Sequence, residues 1–208
     1  MIKSSTLLCV LSGLLVLAGP AGAGASQVIG LGVEYDSAAD WRESGVQPDG
    51  AWSYGAYMLP GAWTSFTPLS GFSVYAAWIG GTGSRWGTQP SVGQFAMHPA
   101  LDTWVVRRWT SPIAGDIEID YDVMRLEDVP GDDGQVVGIY LNGSLLWSQD
   151  LGDAADGRQY TGTLGTSVQA GDVVDFIVDG KNDDQGDWTH FWARIRTLHL
   201  RPATPAGL

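Results

Sequence analysis

The chain has 208 residues, 23 of them acidic against 11 basic, and a formal net charge of −12. Nucleic acid, a polyanion bound through clustered Lys and Arg, is therefore not an expected partner. The only cysteine, Cys9, falls in the leader segment described next, so the mature protein has no disulfide, no thiolate nucleophile and no Cys-ligated metal.

In chain order, MIKSS carries Lys3, TLLCVLSGLLVLAG supplies a short apolar core, and PAGAGAS ends in small residues. This pattern predicts a signal peptide over 1–25, cleaved after Ala23 or Ala25, and a secreted product, extracellular or periplasmic. The apolar run is too short to span a bilayer, and no transmembrane segment is expected in the mature chain. Residues 26–201 suit a single domain by length. The Pro-rich RPATPAGL predicts a flexible tail over 202–208.

From 28 to 103, segments such as QPDGAWSYGAY, LPGAW and GGTGSRWG set aromatic residues between glycine turns, which suits short strands and long loops. Period-two alternation then takes over. GDIEIDYDVMRL puts Ile117, Ile119, Tyr121 and Val123 on one face and Glu118, Asp120 and Asp122 on a face expected to meet water. VVGIYLNGSLLW reads as a hairpin, because Asn142-Gly143 can supply both positive-φ positions of a type I′ turn. QAGDVVDFIVDG reads as a turn at Ala170 to Asp172 followed by a strand. THFWARIRTLHL closes the series, with Phe191, Ala193 and Ile195 opposite Trp192, Arg194 and Arg196. Short strands between Gly, Pro, Asn and Asp turns predict an all-β fold: a two-layer antiparallel β-sandwich of jelly-roll type.

Enzyme signatures are missing: there is no Gly-x-Ser-x-Gly elbow, His-Glu-x-x-His pair or phosphate-binding Gly-x-x-x-x-Gly-Lys. His98, His190 and His199 lack metal-ligand spacing and read as structural or surface residues. Calcium takes carboxylate and carbonyl oxygens from loops, and three acidic loops qualify by composition: LEDVPGDDG, DLGDAADG and DGKNDDQGD. In the third, Asn182, Asp183, Asp184 and Asp187 are the candidate calcium ligands, although Asp187 can instead lock the turn before the last strand. Ten tryptophans raise a second question. A planar ring beside Asp or Asn can carry a sugar, or it can fill a core short of aliphatic bulk. Trp41, Trp52, Tyr54, Tyr57 and Trp188, together with Trp63, lie in Gly-rich or acidic settings and are the sugar-platform candidates.

Several segments, in order, carry a resemblance: WRESGVQPDGAWSYGAY, FAMHPALDTWVVRRWTSPIAGDIEI, DGQVVGIYLNGSLLWS and VQAGDVVDFIVDGKNDDQGDWTHFWARI. Together they resemble secreted bacterial proteins of the PEP-CTERM-associated type. The resemblance implies a galactose-binding-like jelly roll, similar in layout to calcium-containing carbohydrate-binding modules, and brings no reaction or catalytic residue with it. No sorting helix follows RPATPAGL, which favours simple secretion over anchoring. Two functions are expected to compete. One is a noncatalytic carbohydrate-binding protein acting on extracellular or cell-wall polysaccharide. The other is a structural or matrix protein that self-associates or assembles with surface proteins; an enzyme ranks third.

Overall fold

A computed structural model describes residues 32–58, 65–72, 77–80, 90–127, 129–152 and 157–199. The expected signal peptide with Cys9, the tail, Trp63, Asp128, Asp153 and Asp156 lie outside these residues. Among the described residues there is no helix. The strands are β1 (Glu34–Asp36), β2 (Trp52–Met58), β3 (Thr67–Pro68), β4 (Gly71–Phe72), β5 (Trp78–Ile79), β6 (Ser91–Val92) and β7 (Ala96–His98). They continue as β8 (Thr103–Thr110), β9 (Gly115–Arg125), β10 (Val136–Leu141), β11 (Ser144–Asp150), β12 (Gln159–Val168), β13 (Val173–Asp179) and β14 (Thr189–His199).

Two antiparallel sheets result. One runs β12-β9-β14-β7-β6-β5-β4, with β1 also pairing β14; the other runs β11-β10-β13-β8-β2-β3. From β8 onward the chain passes repeatedly between them: β9, β12 and β14 join the first sheet, while the β10–β11 hairpin and β13 join the second. These crossings make a jelly-roll sandwich. The hairpin is the one expected, with φ of 49° at Asn142 and 81° at Gly143. Those values favour residues such as Asn-Gly over two ordinary residues.

The alternation in β9 and β14 sets the core. Ile117, Ile119 and Val123 of β9 meet Phe191, Ala193 and Ile195 of β14 inside the sandwich, with Trp52, Trp109 and Phe176 coming from the opposite sheet. Strand β13 departs from simple alternation, because both of its faces are buried from Val174 to Val178. On its outer side Ile177 packs with Tyr57 and Val106. Next to them Asp175 accepts two hydrogen bonds from Arg108, at 2.7 and 2.8 Å, and Arg108 lies over the Phe66 ring.

The acidic face of β9 does not simply meet water. Register sets Glu118 opposite Arg196 and Asp120 opposite Arg194. Arg196 pairs with both Glu118 and Asp120, Arg194 reaches Asp120 at 2.9 Å, and Thr163 of β12 donates to Asp120 at 2.7 Å. A strand face written only in acids is thus covered by arginines from its neighbour, a pairing that needs the register and not the strand alone. Burial by itself would raise the Asp120 carboxyl, but the hydrogen bonds from Thr163 and Arg194 and the charges of Arg196 and Arg194 outweigh it and hold the pKa below 3.8. A folded-state pKa below the unfolded one adds stability above the unfolded value, and that stability is lost as pH falls below it. Asp120→Asn is therefore expected to flatten the acid limb of a stability-versus-pH curve below pH ~4 and to cost only about 1 kcal/mol or less at neutral pH. Equilibrium denaturation at several pH values measures both.

Candidate functional site

The sugar-platform candidates separate by burial. Trp52 and Tyr54 are 0% exposed and Tyr57 is 4% exposed. Trp52 packs near Phe176 while its indole donates to Asp40 at 3.2 Å. Tyr54 stacks on Trp78 with ring centroids 6.1 Å apart, and burial raises its phenol pKa. The Tyr57 hydroxyl donates to Asp175 at 2.8 Å and accepts from Arg108 at 2.5 Å. A ring without a free face cannot stack on a sugar, so these three belong to the packing of the sandwich. The period-two pattern of WSYGAY turns Trp52 and Tyr54 inward, which their Gly-rich surroundings concealed, while Tyr57 packs on the outer face with Val106 and Ile177. Trp41 is half-buried and tilts against Tyr54 at 4.9 Å.

Trp188 is placed differently. It is half-buried at the start of β14 and lines an open cleft of ≈ 360 Å³ with His98, Glu127, Val129, Asp184, Gln185 and Gly186. Three segments build this cleft: the end of β7, the loop leaving β9 and the loop entering β14. The Leu126 amide donates to the Trp188 carbonyl at 2.8 Å and ties the two loops together. His98 is 2% exposed and lies 4.9 Å from the Trp188 ring. Its Nδ1 donates to the Pro99 carbonyl at 2.5 Å. Burial lowers its pKa against the opposing pull of the Pro99 bond, Asp184 and Glu127, so the ring is neutral at pH 7. An aromatic face, two carboxylates and an amide around an open cleft can cover an apolar surface and bond several hydroxyls at once.

The expected calcium ligands make separate contacts. Asn182 is exposed and donates from Nδ2 to Asp133 at 2.7 Å. Asp183 accepts from the Gln185 amide at 3.0 Å, so it holds the turn through its carboxylate. Asp184 faces the cleft. Asp187 is 0% exposed and neither carboxylate oxygen has a hydrogen-bond partner. The expectation that its carboxylate locks the turn is therefore corrected. The turn is held instead by Asp183 and by the Thr189 hydroxyl, which donates to the Asp187 carbonyl at 3.2 Å. Burial, then the charges of Asp132 and Asp183, push the Asp187 carboxyl up to about 8, with Arg125 pulling the other way and Asp133 adding to the rise.

Residues beyond the DGKNDDQGD loop complete this environment. Arg125, 4% exposed, pairs with Asp132, 7% exposed, and donates to the Glu127 carbonyl at 2.7 Å. Gln135 is 0% exposed; its Nε2 donates to Thr189 at 2.9 Å, while its Oε1 has no partner. Lys181 reaches across to the Asp133 carbonyl at 2.9 Å and to Asp150 at 3.0 Å. Arg125 was foreseeable in one respect, because it continues the inward series of Ile117 to Val123. Among the described residues, no three Asp, Glu, His or Cys side chains stand close enough to hold a metal ion by themselves.

No known protein family matches the chain, and no curated protein is similar to it. Solved structures do show similarity. A CBM35 from Paenibacillus barcinonensis is 12% identical over 81% of this chain and 100% of that one, with a TM-score of 0.36. The Clostridium perfringens ZmpB structure containing CBM51-2, in complex with GlcNAc, is 15% identical over 81% of this chain and 28% of that one, with a TM-score of 0.36. Pika GITRL is 14% identical over 46% of this chain and 79% of that one, with a TM-score of 0.33.

Proposed function

We propose that the chain is a secreted, noncatalytic carbohydrate-binding protein that recognises extracellular or cell-wall polysaccharide through the Trp188 cleft. One observation carries this reading: a half-buried indole lines an open cleft whose other walls carry Glu127, Asp184 and Gln185. The leader-like N-terminus supports secretion, and the acidic surface suits a neutral glycan better than an anionic polymer.

Covering the exposed part of an indole contributes roughly 1–2 kcal/mol, about tenfold in Kd. Trp188→Ala is accordingly expected to weaken retention on insoluble or gel-embedded polysaccharide by about that factor or more, with the denaturant midpoint little changed. Unchanged retention, or no retention by the unmodified chain on any cell-wall polysaccharide, would sink the reading. Release of reducing ends during the assay would replace it with an enzyme. Concentration-dependent assembly in light scattering without glycan binding would replace it with a matrix protein.

A further inference from the structure

Elsewhere in this acidic sandwich, carboxylates are met by cations of the chain itself. Asp120 pairs with Arg194 and Arg196, Asp175 with Arg108, Asp132 with Arg125, and Asp150 with Lys181. The two carboxylates that line the Trp188 cleft are treated differently. Among the described residues, neither Glu127 nor Asp184 enters an ion pair, and no Lys or Arg lines the cleft. The cations nearest to them in the chain are committed elsewhere. Arg125 donates to Asp132 and to the carbonyls of Glu127 and Gly152. Lys181 turns toward Asp150 and the Asp133 carbonyl.

Both carboxylates border the indole. Burial lowers the His98 pKa, and the Pro99 bond, then the charges of Asp184 and Glu127, oppose it. Two carboxylates from different loops thus act on one buried ring, and that ring stands 4.9 Å from Trp188. Because His98 is neutral, it offsets neither of them. The lining of the cleft therefore carries two negative charges, one on exposed Glu127 and one on half-buried Asp184, and no positive charge.

A neutral sugar can donate hydroxyls to such a lining, but it leaves both charges uncompensated. A protonated amine on the sugar ring forms charge-assisted bonds to a carboxylate, about twice as strong as neutral ones. The indole adds to the selection, since its face attracts a cation and covers the apolar side of a pyranose. We propose that the Trp188 cleft selects an amino-sugar glycan, one whose hexosamine residues carry free ammonium groups, over its N-acetylated and neutral counterparts. This inference rests on the reading of the cleft as a glycan site, and it names the chemical class of glycan that the site takes. The charge that disfavours an anionic polymer here favours a cationic one over a neutral one.

Calorimetric titration of the protein with short, soluble hexosamine oligosaccharides tests this, comparing free-amine and N-acetylated forms of equal length. At about pH 6 the amine of a hexosamine holds its proton. The free-amine form is expected to bind about fivefold tighter or more, and the advantage should shrink in about 1 M sodium chloride, where charges are screened within ~3 Å. Glu127→Gln with Asp184→Asn keeps the shape of the lining but not its charge, and should bring the two affinities within about twofold. Glu127→Gln alone, at an exposed position that the fold does not need, should remove about half of the advantage on a logarithmic scale. Trp188→Ala is expected to weaken binding of both forms. Equal affinity for the two forms would overturn the inference, as would an advantage undiminished in the double variant. A free-amine affinity that Trp188→Ala leaves unchanged would also overturn it, by showing general attraction to an acidic surface. Tetralysine bound as tightly, and through Trp188, would assign the cleft to a basic peptide instead. Equal binding of both forms that still depends on Trp188 leaves the glycan reading standing without this refinement. Binding of neither form removes the refinement, and the polysaccharide retention assay then decides the glycan reading separately.

Discussion

Replacing Arg107 by methionine is expected to unfold a large share of the protein at temperatures where the unmodified chain is folded. Arg107 lies between Val105 and Trp109 on the inward face of β8, and it is 0% exposed. Its Nη1 donates to the Ser37 hydroxyl at 3.0 Å and the Phe191 carbonyl at 2.7 Å; its Nη2 donates to the carbonyls of Gly93 at 2.7 Å and Gln94 at 3.1 Å. Ser37 in turn accepts from the Ala193 amide at 3.0 Å. One side chain from the second sheet thus binds β14 and the β6–β7 turn of the first. Burial lowers the guanidinium pKa to about 10, which still leaves it charged at neutral pH.

Methionine fills similar volume but donates nothing, so three carbonyls and a hydroxyl lose a buried donor. Each stranded group costs about 1–3 kcal/mol, and the sum is expected to reach ~3 kcal/mol or more against a total stability of roughly 5–15 kcal/mol. Lysine keeps the charge but not the planar fork, so Arg107→Lys should recover less than half of the loss. Equilibrium denaturation of the three chains measures this. A methionine variant within about 0.5 kcal/mol of the unmodified chain, the range of an ordinary surface substitution, would show that the inter-sheet bonds carry no weight.

The second large effect is expected at Trp52. Its ring is fully buried against the β13 residue Phe176, and Trp52→Ala should cost about 3–5 kcal/mol by opening a cavity in the sandwich. The same substitution tests the assignment of the aromatics, because Trp188→Ala should spare the fold and lower glycan retention. If Trp52→Ala left the denaturant midpoint unchanged and abolished retention, the roles assigned to the two rings would have to be exchanged. Both rings stand beside polar loop residues in the chain, and burial alone separates them.

The strands were legible wherever one face is apolar and the other polar. Ile117 to Val123, Phe191 to Ile195 and the Asn142-Gly143 hairpin all follow from local pattern, because each depends on neighbours within a few residues. The aromatic segment WSYGAY hides its inner strand for the converse reason. Glycine and serine between the rings mimic a loop, while β2 is an inner strand with Trp52, Tyr54 and Ala56 turned inward. In the acidic loops, composition indicated that oxygen ligands were plentiful but not which of them meet. Asp183 and Asp184 are adjacent, yet one carboxylate holds a turn and the other lines the cleft.

By itself, then, the sequence determined an acidic all-β sandwich chain with a leader-like start, the main strand faces and one hairpin turn, all properties of short-range periodicity and turn chemistry. Only the tertiary structure decided that Arg107 is an inter-sheet clamp, that Trp188 rather than Trp52 faces a cleft, and that Asp187 is buried without a partner. Each of those depends on residues brought together from more than one strand or loop. Burial and electrostatic compensation are sums over such neighbours, and no local pattern in the chain records them.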